Sequence, residues 1–179
     1  RDSFGFPVPA LFLRPYHYSD ANGDGILQST EVTVDTGVIY AGYPSPRDLL
    51  SIQSGIDLFK RRVRLTMLFD YKGGFSLFNN SSQFICQQSP KACQEDQDPS
   101  MPLWRQARAV ALNYGSVTNG TKFTTSYGYY ENGQFWRMRE AAATIQLPSR
   151  LMSRVRARDA SLVLSGRNLF TWTKYTGVD

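Results

Sequence analysis

Val63-Arg64-Leu65-Thr66-Met67-Leu68-Phe69-Asp70-Tyr71-Lys72 is the stretch on which the fold turns. Val63, Leu65, Met67, Phe69 and Tyr71 share one parity, while Arg64, Thr66, Leu68, Asp70 and Lys72 share the other. Strand side chains alternate between faces, so the pattern predicts a strand that is apolar on one side and polar on the other. Strands of soluble sandwiches average about five or six residues, and barrel strands need about 9–11. This run has the longer length. Just upstream, residues 48–59 set Leu50, Ile52, Ile56 and Leu58 against Ser51, Gln53, Gly55 and Asp57. Phe59, Lys60 and Arg61 make a short break, so residues 48–78 read as a long antiparallel hairpin.

A second hairpin is expected over 134–179. In 134–147, Phe135, Ala141, Ala143, Ile145 and Leu147 share a parity that Arg137 and Arg139 interrupt. Trp136 and Met138 fall on the other parity with Glu140, Thr144 and Gln146. Pro148 stops the strand, 149–156 form a basic turn, and a last strand over 158–168 alternates Ala160, Leu162 and Leu164 with Ser161, Val163 and Ser165 before running into 168–175. Between the hairpins lies a polar excursion over 79–133. Its one expected helix is Leu103 to Asn113, ended by Gly115, and Asn119-Gly120 and Asn132-Gly133 are read as turns. Residues 1–47 are rich in turn formers, among them Pro7, Pro9, Pro15, Pro44 and Pro46.

Brief connections on one side and a very long one on the other are the layout of outer-membrane barrels. The expected fold class is therefore all-β: part of a large antiparallel transmembrane β-barrel with long extracellular loops and one short loop helix. Its expected parts are an extracellular loop region (1–47), a barrel hairpin (48–78), a long extracellular loop (79–133), and a hairpin with outer rim (134–179).

The 179 residues are 41% hydrophobic and 13% aromatic, which excludes a disordered segment. The net charge of +5 comes from scattered arginines without a basic face, so no nucleic-acid partner is expected. No run of about 18 apolar residues is present, which excludes a transmembrane helix but not a barrel. The ends, Arg1-Asp2 and Val178-Asp179, read as cut from a longer chain.

Three segments together resemble the SusC/RagA-type TonB-dependent transporters. They are Tyr18-Ser19-Asp20-Ala21-Asn22-Gly23-Asp24-Gly25-Ile26 with Gly42-Tyr43-Pro44-Ser45-Pro46 downstream, Asn132-Gly133-Gln134-Phe135-Trp136-Arg137-Met138-Arg139 leading to Leu147-Pro148, and Ser165-Gly166-Arg167-Asn168-Leu169-Phe170-Thr171-Trp172-Thr173-Lys174-Tyr175-Thr176-Gly177-Val178-Asp179. The last is the most specific. The pattern departs at Glu140-Ala141-Ala142, where the family favours Asn and β-branched residues, and in the cysteine-bearing loop. The resemblance implies a parent barrel of about 22 strands with an N-terminal plug, in the bacterial outer membrane. It further implies nutrient uptake of oligosaccharides or peptides, with a SusD-like lipoprotein lid and the TonB complex as partners. This chain would be a C-terminal piece of that machine, in contact with outer-membrane lipid and with the remainder of the barrel and plug.

Asp20–Glu31 matches the calcium-loop spacing D-x-N-x-D-G-x5-E. Asp20, Asn22 and Asp24 would give side-chain oxygens, Ile26 its carbonyl and Glu31 both carboxylate oxygens. The alternative is a self-satisfied Asx-rich turn. Pro15 and Val32-Thr33-Val34 stand where an EF-hand has helices, so a stabilised loop is expected, not a switch. Cys86 and Cys93, the only cysteines, are expected to staple a loop in an oxidising compartment, with free thiols as the alternative. His17 is the sole histidine and no nucleophile motif is present, so catalysis is not expected; Glu95, Asp96 and Asp98 read as a solvated loop patch. Trp172 and Tyr175 suit a membrane-interface girdle at the outer rim, or else sugar stacking. Two further readings stay open: a soluble or surface calcium-stabilised β-domain binding glycans or a partner protein, and an accessory subunit of a membrane assembly.

Overall fold

A computed structural model of the protein describes residues 5, 8–88, 93–96, 98–148 and 158–177. The basic turn expected at 149–156 lies outside the described residues, as do Arg1, Asp2, Pro7, Val178 and Asp179. The strands in the first half are β1 (Leu11–Leu13), β2 (Tyr16–Tyr18), β3 (Val32–Val34), β4 (Ile39–Gly42), β5 (Asp48–Leu58), β6 (Val63–Gly73) and β7 (Ser76–Phe78). Helices α1 (Asn80–Gln88) and α2 (Leu103–Asn113) follow, then β8 (Ser116–Thr118), β9 (Thr121–Phe123), β10 (Tyr130–Asn132), β11 (Phe135–Gln146) and β12 (Ser161–Thr173). They divide into a sheet unit, Pro46–Gly73 with Gln134–Thr173, and a loop unit, Arg1–Ser45 with Gly74–Gly133 and Lys174–Asp179.

The sheet unit is a single antiparallel sheet in the order β12-β11-β6-β5. Its strands are 11 to 13 residues long. The final strand is displaced from expectation: it begins at Ser161 and includes Asn168–Thr173, because β11 continues to offer it partners as far as Phe135. At the β5–β6 turn, Phe59, Lys60 and Arg61 take φ of 51°, 58° and 66°, a left-handed run that costs on the order of 1 kcal/mol per residue.

The broken parity of β11 is resolved by a bulge at Arg139. Between the cross-strand rung Phe69–Met138–Phe170 and the rung Met67–Ala141–Gly166, β6 advances two residues, β11 three and β12 four. An odd advance flips parity and an even one preserves it. Trp136 and Met138 therefore share a face with Ala141, Ala143 and Ile145, although their parities differ. The added residue also keeps Glu140 on the polar side, opposite Leu68 and Arg167.

In the loop unit, four two-stranded ladders pair β1 with β4, β2 with β3, β7 with β10 and β8 with β9. The alanine-rich α2 buries Ala107, Val110 and Ala111 against Leu27, Val32 and Val34. A second cluster gathers Cys86, Cys93, Ala109 and Tyr129. Gly115 closes α2 at φ +57°, where a Cβ would stand 2.0 Å from the Phe123 carbonyl oxygen. Three findings depart from the sequence reading, and a fourth agrees with it. Residues 1–47 contain strands β1 to β4, each too short to show a period. A second helix, α1, forms from a polar segment because Asn79 caps it, its Oδ1 accepting from Ser82 N at 3.1 Å. Asn132-Gly133 is no turn: Asn132 ends β10, and a Cβ on Gly133 would lie 2.6 Å from the Phe75 ring. Asn119-Gly120, with φ of 51° and 75°, is the turn between β8 and β9.

Candidate functional site

The sheet separates chemistry by face. One side carries Leu50, Ile52, Ile56 and Leu58 of β5, Val63 to Tyr71 at alternate positions of β6, Trp136, Met138, Ala141, Ala143 and Ile145 of β11, and Leu162, Leu164, Phe170 and Trp172 of β12. No described residue of the sheet unit forms a second layer over it. Leu50, Ile52, Ile56, Leu162, Leu164, Phe170 and Trp172 stay 45–60% exposed. The other side pairs its charges: Asp70 accepts from Ser51 at 2.7 Å and from the Arg139 guanidinium, while Arg167 reaches Glu140 at 3.6 Å and Arg64 reaches Asp57 at 3.9 Å.

Trp172 belongs to an aromatic rung. Tyr71, Trp136 and Trp172 are directly opposite one another on three adjacent strands, with the Tyr71 and Trp136 rings 4.9 Å apart. The rung lies at the end of the sheet from which the chain departs to β7, and the opposite end carries the aliphatic rung Leu58, Val63, Ile145 and Leu162. Tyr175 is placed differently. It lies in the loop unit, half-buried, where its hydroxyl donates to the Phe78 carbonyl at 3.2 Å.

The Asp20–Glu31 loop joins the paired strands β2 and β3. Asp20 accepts from Gly23 N (2.8 Å) and Gly25 N (3.0 Å), and Asp24 from Ile26 N (2.8 Å). Asn22 accepts from Asp24 N at 3.0 Å and donates to the Asp24 carboxylate at 2.9 Å. Glu31 closes the loop by accepting from Ala21 N and Gln28 N, both at 2.9 Å. These bonds are those of an Asx-rich turn. The carboxylates nevertheless retain lone pairs, and hard anionic oxygens are the donors calcium takes. The loop is also latched to α2, since buried Gln106 accepts from Leu27 N and donates to Gly25 O, each at 2.9 Å.

At the centre of the loop unit, Arg108 of α2 is buried to 2% exposure between two carboxylates. It forms a forked pair with Glu95, its Nε donating at 2.8 Å, and reaches Glu131 at 3.4 Å. Trp104 and Tyr129 flank the guanidinium with ring centroids at 5.3 and 4.6 Å. Burial works against the charge of Arg108, but Glu95 and Glu131 outweigh it and raise its pKa. Burial likewise opposes the charge of Glu131, yet bonds from Asn79 and Thr176, with Arg108 beside it, hold its pKa below the ordinary value. Burial pushes the neighbouring Tyr16 hydroxyl up to about 12. Glu95 is thus no part of a solvated patch, because Arg108 takes both of its oxygens. Asp98 instead accepts from Ser100 N at 2.8 Å, and the Asp96 side chain lies outside the described residues. His17 is exposed, 3.4 Å from Asp35. Nothing in the sequence pointed to this cluster, since its members are 13 and 23 positions apart.

Cys86 and Cys93 are joined, with S–S 2.03 Å and Cα atoms 4.5 Å apart. Their sulfurs and a Glu95 oxygen lie within 4.8 Å of one another. A disulfide has no thiolate to offer, so this group is not a metal site.

Comparison with solved structures gives the same architecture. The RagAB peptide importer in its closed-closed state matches with a TM-score of 0.59 and 17% identity over 94% of this chain. The RagAB peptide transporter matches at 0.60 and 16%, and the open-open importer at 0.52 and 18%, both again over 94% of this chain. No protein-family profile and no curated protein matches. The chain spans only 19–20% of the chains it resembles. The protein therefore has the fold of about one fifth of a RagAB importer chain.

Proposed function

We propose that this chain is a C-terminal part of the barrel of a SusC/RagA-type TonB-dependent transporter in a bacterial outer membrane, importing peptides or oligosaccharides. The observation that carries the reading is the uncovered apolar face of a single-layer sheet, ending in an aromatic rung. Water would make such a face an aggregation-prone patch, whereas lipid requires nothing of it. Strands of 11–13 residues extend about 35–40 Å, which at a barrel tilt of about 40° spans roughly 25–30 Å. That is the height of an outward apolar band. The other face, with its paired charges, lines the lumen.

Both sheet edges, β5 and β12, must then meet further strands. Leaving either one open in hydrocarbon would cost on the order of tens of kcal/mol in unpaired backbone groups. The rest of the parent barrel supplies those strands and encloses the plug. A SusD-like lipoprotein and the TonB complex are the partners of the whole machine, and its role is transport, not catalysis.

Depth-dependent quenching tests this reading. With Trp104 and every tryptophan elsewhere in the parent barrel replaced by phenylalanine, the remaining fluorescence comes from Trp136 and Trp172. In bilayers of brominated lipids it is expected to be quenched most by bromines near the headgroups and less by those at the bilayer centre. Emission indifferent to brominated lipid would sink the membrane assignment.

We also propose calcium as the ligand that stiffens the Asp20–Glu31 loop, supported by its donor spacing and its anchoring to α2 through Gln106. Calorimetric titration of the full chain with calcium is expected to show one site, weakened at least tenfold by Asp24→Ala. No heat of binding in the parent protein leaves the loop as an Asx turn.

A further inference from the structure

Asn-Gly occurs three times in the chain, at Asn22-Gly23, Asn119-Gly120 and Asn132-Gly133. The pair carries a built-in reaction. The glycine amide nitrogen attacks the asparagine side-chain carbonyl carbon, and no β-carbon on glycine hinders its approach. The new C–N bond closes a five-membered succinimide while the Cγ–Nδ2 bond breaks, and the side-chain nitrogen leaves as ammonia with the proton of the attacking amide. Water then opens the ring at either carbonyl, giving aspartate or isoaspartate. The sum is amide plus water to carboxylate plus ammonium, with nothing oxidised or reduced.

The fold treats the three pairs differently. Gly23 N donates to Asp20 at 2.8 Å, and a carboxylate beside that amide opposes the negative charge that develops as its proton leaves. The Asn22 side chain is fixed as well, accepting from Asp24 N at 3.0 Å and donating to the Asp24 carboxylate at 2.9 Å. Gly133 N donates to the Phe75 carbonyl at 3.0 Å, and Asn132 is paired with Ser76 in the ladder of β10 and β7. Both of these nitrogens are engaged. Asn119-Gly120, by contrast, is the exposed two-residue loop between Thr118 and Thr121. Among the described residues, nothing accepts from Gly120 N and nothing bonds the Asn119 side chain. A Cβ placed on Gly120 would meet no atom within 4 Å. The base of this hairpin is tied, since the Ser116 hydroxyl bridges Val34 N and O at 3.0 and 2.9 Å. Its arms, however, are only three residues each. Asn119 must leave its left-handed φ of 51° to react, and so short a hairpin opens at little cost.

From these contrasts we infer that Asn119 is a site of deamidation through a succinimide, and that Asn22 and Asn132 are protected by the bond on the glycine that follows each. Conversion gives the hairpin tip a negative charge. Isoaspartate also adds a backbone carbon to the two-residue loop, which then no longer fits the Thr118–Thr121 pairing. In the Asp20–Glu31 loop the same chemistry is suppressed by Asp20, which keeps Asn22 an amide.

Ageing the full chain in detergent micelles at mildly alkaline pH, with a chelator present, tests the inference independently of membrane insertion and of calcium. Peptide mass spectrometry that separates aspartate from isoaspartate reads each site. Asn119 is expected to convert at least about tenfold faster than Asn22 or Asn132, because its opening is local while theirs breaks loop or ladder bonds. Both isomers should appear at Asn119, whereas direct hydrolysis of the side chain would give aspartate alone. Asp20→Ala frees Gly23 N and should raise the Asn22 rate about tenfold relative to Asn132, whose bond to Phe75 it leaves in place. Comparable rates at all three pairs, aspartate without isoaspartate at Asn119, or an unchanged ratio of Asn22 to Asn132 in Asp20→Ala would each overturn the assignment.

Discussion

Replacing Arg108 with methionine is expected to loosen the whole loop unit by about 3–5 kcal/mol, the usual cost of removing one partner from a buried charge cluster. The side chains of Arg108, Glu95 and Glu131 are only 2%, 14% and 15% exposed, so water cannot replace what is lost. Glu131 would keep its bonds from Asn79 and Thr176, while Glu95 would keep the distant Tyr129 hydroxyl at 3.4 Å. Hydrogen exchange should register the change at the α2 amides of Ala107, Val110 and Ala111, with acceleration on the order of 10²–10³-fold. Pairing Arg108→Met with Glu95→Gln should restore part of the protection, since a neutral amide costs less to bury than a bare carboxylate. Parental exchange rates in the single variant would mean that the apolar clusters, not the charges, hold α2.

Leu65→Arg is the second large effect. Leu65 sits one rung from the middle of β6 on the apolar face, opposite Ile56 and Ala143. An arginine on a lipid-facing position near the bilayer midplane costs about 2–4 kcal/mol, whereas lumen substitutions are mild. Thr66→Arg, one residue along and on the polar face, is therefore the internal control. Unfolding in lipid vesicles by denaturant, monitored by heat-modified gel mobility, should shift markedly for Leu65→Arg and little for Thr66→Arg. Equal shifts would show that the two faces see the same medium, and the transporter reading would fall.

The alternation of β5 and β6 was fully legible, because side-chain parity is a local property with a period of two and needs no partner to be seen. The same holds for α2, whose alanine-rich run and terminal Gly115 carry their own signals. The spacing from Asp20 to Glu31 also announced a closed loop, although its oxygens engage backbone amides. Helix α1 was not legible, as its polar sequence becomes helical only with Asn79 capping it and Cys86 buried against Ala109 and Tyr129. The face of Trp136 was likewise decided by tertiary structure. The bulge at Arg139 is defined by a count of residues against β6 and β12, and no single strand contains that count. The buried cluster of Arg108, Glu95 and Glu131 lies at the far end of this scale. Sequence determines which residues carry charge, but only the folded chain brings them within bonding distance, where low dielectric makes their pairing obligatory.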